Sequence, residues 1–374
     1  VDWRHRTRST GPIAVAAPPW PLLRAPSIIA SVRPDRVDFK DEEDAMKPGI
    51  PTLAAAALLF ATSQGALAQA KLDISLPWGP TEFHTVNAQR FAERAKEVTK
   101  GQVTIAVHPG GALGVKANES VRAVEDGTVA MAEFAGFQNV GDLPILGMES
   151  LPFLVDDYDQ LRIMHQVARP TWEAALAKRN QRLLYSVPWP SQNFFTKKAI
   201  NSIDDLKGVR MRTYDRNTAE MVTKLGMVPQ QLNSPDVVPA LASGRIDAVM
   251  TSGTTAVAQK YWEFLKHTYN TNHLWASNLM VIGNGAWNKL SAENRAALEK
   301  LAKEMEPQFW DVSKGEHIQR MDQLKKNGMT IGSASKELLD RMRAVTRPMW
   351  DEFAKATGAE GAKLLAEYRS KTGK

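Results

Sequence analysis

Two short stretches carry residue types at spacings that could perform acyl transfer. Ser333-Ala334-Ser335-Lys336 fits S-x-x-K, in which a serine is the nucleophile, and Lys371-Thr372-Gly373 fits K-T-G. The set is incomplete: no S-D-N stands between them and the spacing is too short for that fold. No G-x-S-x-G elbow, H-E-x-x-H pair or Walker loop occurs. His84, His108, His165, His267, His273 and His317 are scattered without metal-ligand spacing. The absence of cysteine removes thiol catalysis, disulfides and Cys-ligated zinc or iron–sulfur centres. No nucleophile–base pair can be named, which disfavours an enzyme.

The elements around these residues alternate. Residues 72–76, 103–107 and 129–133 are β-branched or apolar runs that read as strands. Between them, 82–100 places Phe83, Val86, Phe91, Ala95 and Val98 near helical spacing, and Asn118 stands where it could cap a helix over 119–126 that ends at Gly127. The pattern repeats with strands at 182–187 and 209–212, a helix at 216–225 ending at Gly226, a helix at 236–243 ending at Gly244, and a strand at 246–250. Such alternation predicts α/β architecture with parallel sheets covered by helices. From Ser291 to about Lys326 only Pro307 and Gly315 interrupt a long helical pattern, and 337–356 and 361–372 are helical as well.

Bulk properties are those of an ordinary globular chain. The 374 residues suffice for two domains, with 43% hydrophobic and 24% charged residues and a net charge of +6. The basic excess is spread along the chain, so nucleic-acid binding is not expected; Lys197-Lys198 and Lys325-Lys326 read as solvated surface. Met46-Lys47 opens a segment with an apolar stretch at 53–61, followed by Ala66-Leu67-Ala68 and Ala68-Gln69-Ala70, the small-x-small pattern of signal-peptidase sites. Residues 46–70 are thus expected to be a signal peptide that directs the protein to the periplasm, with a mature start near Gln69 or Lys71. Residues 1–45 read as an over-extended start or a disordered extension. A chain free of thiols fits an oxidising compartment.

Several segments in order resemble the DctP-type solute-binding proteins of tripartite ATP-independent periplasmic (TRAP) transporters. They are Leu76-Pro77-Trp78, the turn His108-Pro109-Gly110-Gly111-Ala112-Leu113-Gly114, residues 119–127, Leu151-Pro152-Phe153-Leu154, and Ile203-Asp204-Asp205-Leu206-Lys207-Gly208-Val209-Arg210-Met211-Arg212. Asp236-Val237-Val238-Pro239-Ala240-Leu241 and Gly244-Arg245-Ile246-Asp247 follow. The resemblance covers essentially everything after Lys71. It implies a two-lobed periplasmic binding protein fold with a hinge, a ligand cleft between the lobes and long C-terminal helices. Residues 71–189 with about 277–315 would form one lobe, and 190–276 with about 316–374 the other. The partners implied are a small organic acid and the small and large membrane subunits of a transporter.

The resemblance also implies a site. Arg212 matches the family's carboxylate clamp, a role suited to a planar guanidinium that can pair both oxygens of a carboxylate taken out of water. Arg210 is its nearest competitor. Where many dicarboxylate- and sialic-acid-binding members carry a second arginine, this chain has Gln192, which with Trp189 and Phe194 favours a monocarboxylate, such as a 2-oxo, 2-hydroxy or aromatic acid. Asp247 is followed by Ala248-Val249-Met250-Thr251-Ser252 rather than an acidic–aromatic pair, so no metal and no cofactor are expected, and Thr251 and Ser252 are candidate hydrogen-bonding groups. Trp78, Glu133 and Asn233 are further pocket candidates by position. Rival readings are a ligand-presenting protein for a sensor kinase and, less favoured, a periplasmic enzyme on the same scaffold.

Overall fold

The apolar and β-branched runs extend into strands, and the amphipathic stretches between them cover the resulting sheets. The computed structural model describes residues 69–374. The expected signal segment lies outside the described residues, apart from Gln69 and Ala70. Strands β1 (Ala70–Ser75), β2 (Val103–His108), β3 (Met131–Ala135) and β4 (Gln181–Pro188) build the first sheet. The chain then crosses to β5 (Asn193–Thr196), β6 (Arg210–Thr213), β7 (Val228–Gln231), β8 (Ala248–Thr251) and β9 (His267–Asn270) in the second. It returns to the first as β10 (Ser277–Gly283) and ends its strand content with β11 (Thr330–Ser333). The orders are β2-β1-β3-β10-β4 and β11-β9-β5-β8-β6-β7.

The expectation of parallel sheets needs correction, because each sheet contains one reversed strand. β10 is antiparallel to β3 and β4, and β5 is antiparallel to β8 and β9. β11 also receives the chain from the other sheet, through a long helix, and pairs parallel to β9, whereas β10 and β5 receive it directly. Each of these two enters its new sheet without a crossover helix to turn it, so it runs against its neighbours. The two crossing segments, 189–192 and 271–276, also bond to each other: Trp189 N donates to Ala276 O at 2.8 Å and Gln192 N to Leu274 O at 2.9 Å.

The covering helices are α1 (Phe83–Val98), α2 (Ser120–Glu125), α3 (Tyr158–Ala177), α4 (Arg216–Lys224), α5 (Ser234–Ala242), α6 (Gly253–Ala258), α7 (Asn284–Trp287), α8 (Ala292–Lys326), α9 (Lys336–Thr346) and α10 (Pro348–Thr372). Short polar side chains fix several starts: Asp157, Asp215, Ser252, Ser291 and Ser335 each accept a backbone N–H of the first turn. The helix expected at 337–356 divides instead, because Pro348 begins a new helix, a position where its missing N–H costs nothing. α10 is kinked at Gly358, whose φ of 68° and ψ of −155° suit only glycine. α8 runs beside both sheets. Leu298, Leu301 and Phe309 pack in one core cluster, and Leu324 packs in another with Ile246 and Leu265. Among the described residues no helix is long and apolar enough to cross a membrane.

Candidate functional site

The carboxyl ends of β1, β3, β6, β7 and β8 converge on one cavity, as α/β sheets favour. The space between these ends measures about 380 Å³, counting the part that opens to solvent. The first sheet supplies Trp78, Phe137 and Gln138; the crossing segments supply Trp189, Gln192 and Ala276; the second sheet supplies Arg212, Tyr214, Ser234, Thr251, Ser252 and Thr255. Six of the expected residues therefore line one space: Arg212, Gln192, Trp189, Trp78, Thr251 and Ser252. The other three lie elsewhere. Asn233 precedes α5 as its cap residue, and Phe194 is buried in β5 against the His273 ring. Glu133 is buried behind the wall, where it touches His84, Tyr185 and Asn278.

Arg212 closes β6 with 4% of its surface exposed. Its Nε donates to Leu232 O at 3.1 Å and its Nη1 to Met250 O at 3.2 Å. No hydrogen bond engages Nη2, and among the described residues no carboxylate reaches ion-pair distance of the guanidinium. The Tyr214 ring lies 5.2 Å from its Cζ. Burial pulls its pKa below the usual arginine value, partly countered by Tyr261, Tyr214 and Asp215. Arg210 is spent differently: its Nε and Nη2 grip both oxygens of Asp247 at 2.7 Å on an exposed face. The strand thus presents one neutralised arginine and one left free, and the free one faces the cavity.

The remaining walls are aromatic and amide. Trp78 and Trp189 pack edge to face at 4.9 Å, and Phe137 meets Tyr214 at 4.8 Å from across the cavity. The Trp78 Nε1, Tyr214 hydroxyl and Gln138 Oε1 atoms are buried without a hydrogen-bond partner. Gln192 Nε2 donates to Pro190 O at 3.0 Å. Phe137 and Gln138 also line a wider outer cleft, so these two side chains stand between the cavity and solvent. Asn217 Nδ2 ties α4 to the first sheet's side by donating to Ser150 Oγ at 2.8 Å. The pattern reading did not foresee Phe137, Gln138, Ser234, Thr255 and Ala276; Tyr214 alone had a cue, its closeness to Arg212 in the chain.

One Ser–His–acid array exists outside the cavity. Ser186 Oγ lies 2.9 Å from His165 Nδ1, whose Nε2 pairs with Glu149, and Ser277 Oγ bridges to the same groups. Ser186 is wholly buried within β4, which keeps its hydroxyl from a substrate carbonyl. Among the described residues no cluster of three or more His, Asp or Glu could hold a metal ion.

A mixed α/β, two-domain chain with a cavity between its sheets, lined among the described residues by one unpaired cation, has the form of a solute-binding receptor. The sequence profile of the DctP group, bacterial extracellular solute-binding protein family 7, matches residues 75–356. The protein belongs to this family, whose TRAP members bind small organic acids and deliver them to membrane subunits. The C4-dicarboxylate-binding periplasmic protein DctP of Rhodobacter capsulatus is 28% identical over 281 residues, covering 73% of this chain and 83% of that one. Among solved structures, DctP7 of Bordetella pertussis, an extracytoplasmic solute receptor binding pyroglutamic acid, superposes with a TM-score of 0.78 at 29% identity, covering 80% of this chain and 99% of that one. A marine metagenome TRAP solute-binding protein specific for pyroglutamate has a TM-score of 0.77 at 32% identity, covering 81% of this chain and 99% of its own.

Proposed function

We propose that this protein captures a small monocarboxylate with a second polar end, of the pyroglutamate type, and presents it to TRAP membrane subunits in the periplasm without transforming it. The buried, acid-free guanidinium of Arg212 carries the reading. A charge held out of water needs a counter-charge, and the cavity itself offers none, so an anionic ligand completes the site. Arg212 is the only cation lining the cavity among the described residues, and Gln192 brings an amide in place of a second charge, which suits one carboxylate rather than two. The Trp78 indole N–H and Tyr214 hydroxyl offer donors, and Gln138 Oε1 an acceptor, to a group such as a lactam. Aromatic faces on both sides fit a small ring. That similar solute receptors bind pyroglutamate supports the same class here.

Capture would follow from closure of the lobes about the two crossing segments, with residues 71–189 and about 277–315 moving against 190–276 and about 316–374. Export by the segment at 46–70 completes the proposal. Cleavage after Ala68 keeps β1 whole, whereas cleavage after Ala70 removes the Ala70–Val103 pair at the start of the sheet. N-terminal sequencing of the secreted protein should therefore read from Gln69; a longer amino terminus would refute the export site.

The deciding measurement is calorimetric titration of the purified protein, stripped of ligand by unfolding and refolding, with pyroglutamate and with a C4-dicarboxylate. Pyroglutamate should bind at least about tenfold more tightly, a difference of about 1.4 kcal/mol. The reverse order would overturn the monocarboxylate assignment. Failure of every acid in a broad panel would overturn carboxylate binding itself.

A further inference from the structure

The wall residue Trp189 is held by a polar chain whose other members do not line the cavity. Its indole Nε1 donates to Asn278 Oδ1 at 2.7 Å, and Asn278 Nδ2 donates to Glu133 Oε1 at 3.0 Å. Glu133 is fully buried and is gripped from two further elements: His84 Nδ1 from α1 lies at 2.9 Å, and the Tyr185 hydroxyl of β4 donates at 3.1 Å. The His84 ring also packs 4.1 Å from Trp189.

We infer that Glu133, through Asn278, is a positioning residue that fixes the plane of Trp189 and so sets which ligands the cavity accepts. Glu133 accepts from both Asn278 and the Tyr185 hydroxyl, so Asn278 turns its NH2 toward Glu133 and its carbonyl toward Trp189. The indole N–H, which can only donate, then has one direction in which to point. Trp189 sits in the crossing segment between β4 and β5, outside both sheets, with its backbone N–H tied to Ala276 O. Three elements of the first sheet's side thereby orient a residue at the boundary between the lobes. The cost of burying Glu133 is offset only while all three donors are present. The effect on ligand choice rests on the monocarboxylate reading above; the positioning of Trp189 does not.

The test uses the whole protein and two readouts. Indole 15N–1H spectra of ligand-free protein, with the Trp189 resonance assigned from Trp189→Phe, report the ring directly. In Asn278→Leu that resonance should shift to the position of an indole lacking its acceptor. In Glu133→Gln it should double or broaden, because a side-chain amide lets Asn278 face either way. Ligand titration is the second readout. Asn278→Leu should weaken binding roughly tenfold and narrow the preference between pyroglutamate and its acyclic counterparts, and this penalty should vanish in the Trp189→Phe background. An unmoved Trp189 resonance in Asn278→Leu overturns the inference, as does equal weakening for every ligand. If Asn278→Leu does not fold, a single unshifted resonance in Glu133→Gln overturns it instead. Absence of acid binding, with the resonance moved as expected, would count against the proposed ligand and leave the positioning role standing.

Discussion

Arg212→Met should lose ligand binding and, at the same time, raise the melting temperature of the ligand-free protein. The two effects have opposite signs because the guanidinium serves the bound state alone. When the ligand carboxylate occupies the cavity, Arg212 is its counter-charge, and stripping one partner from a buried pair costs roughly 3–5 kcal/mol, a hundredfold to several thousandfold in Kd. Without ligand, Arg212 is a cation 4% exposed, held by two carbonyl oxygens and no acid. Burial disfavours that charge, as its depressed pKa records. A methionine of similar length removes the uncompensated charge and its desolvation cost without breaking an ion pair, so the ligand-free protein should melt higher. Calorimetric titration and thermal melts of the same sample read both quantities. Retained affinity would remove Arg212 from the site. Lowered stability would show that its bonds to Leu232 and Met250 tie β6 to its neighbours more strongly than burial penalises the charge.

Glu82→Gln should stabilise the protein markedly at pH 8 and hardly at all at pH 4.5. Glu82 caps the start of α1, is 4% exposed and leaves Oε2 without a partner. Burial raises its pKa from 4.5 to about 7; the Thr255 hydroxyl and Arg320 favour the anion and Glu316 opposes it. The folded protein therefore keeps a proton that the unfolded chain releases. This contribution to stability is complete below pH 4.5 and is lost as pH rises through 7. Above that the ionised carboxyl costs about 3 kcal/mol, which the neutral amide avoids. Melting curves of the two proteins across pH 4.5–8 should converge at the acid end and separate toward the alkaline end. Parallel curves would mean that Glu82 stays ionised throughout.

Much of the fold was legible because its signals are local. Runs such as 103–107, the stops at Gly226 and Gly244, and the uninterrupted stretch after Ser291 each follow from residue type and spacing alone. β5, β7, β9, β10 and β11 were not read from the sequence: none shows a sustained alternation of its own, and each forms because partners lie alongside. Strand direction after a crossing cannot be read either, since it depends on where the chain re-enters a sheet. At the site, Arg212 stood out through its ordered motif. Phe137 and Gln138 carry no pattern and reach the cavity only because a 3-10 turn follows β3. Glu133 illustrates the limit. Its position near the ligand region was apparent, but whether it faced the ligand or stood behind Trp189 depended on three donors from distant parts of the chain.

The continuity of α8 bears on the mechanics of release. At 1.5 Å per residue, its 35 residues make a rod of roughly 50 Å fastened to both sheets. Near its middle Arg169 binds Glu306 and Trp310 donates to Ser186 O; near its C-terminus Leu324 is locked among the second sheet's apolar residues. Any rotation of one sheet against the other must flex this rod between those anchor points, a span that contains Gly315. A helix tied at both points resists such a rotation, and the resistance falls on the stretch between Trp310 and Leu324. Amide hydrogen exchange along 311–320 would report that flexing without any label on the ligand.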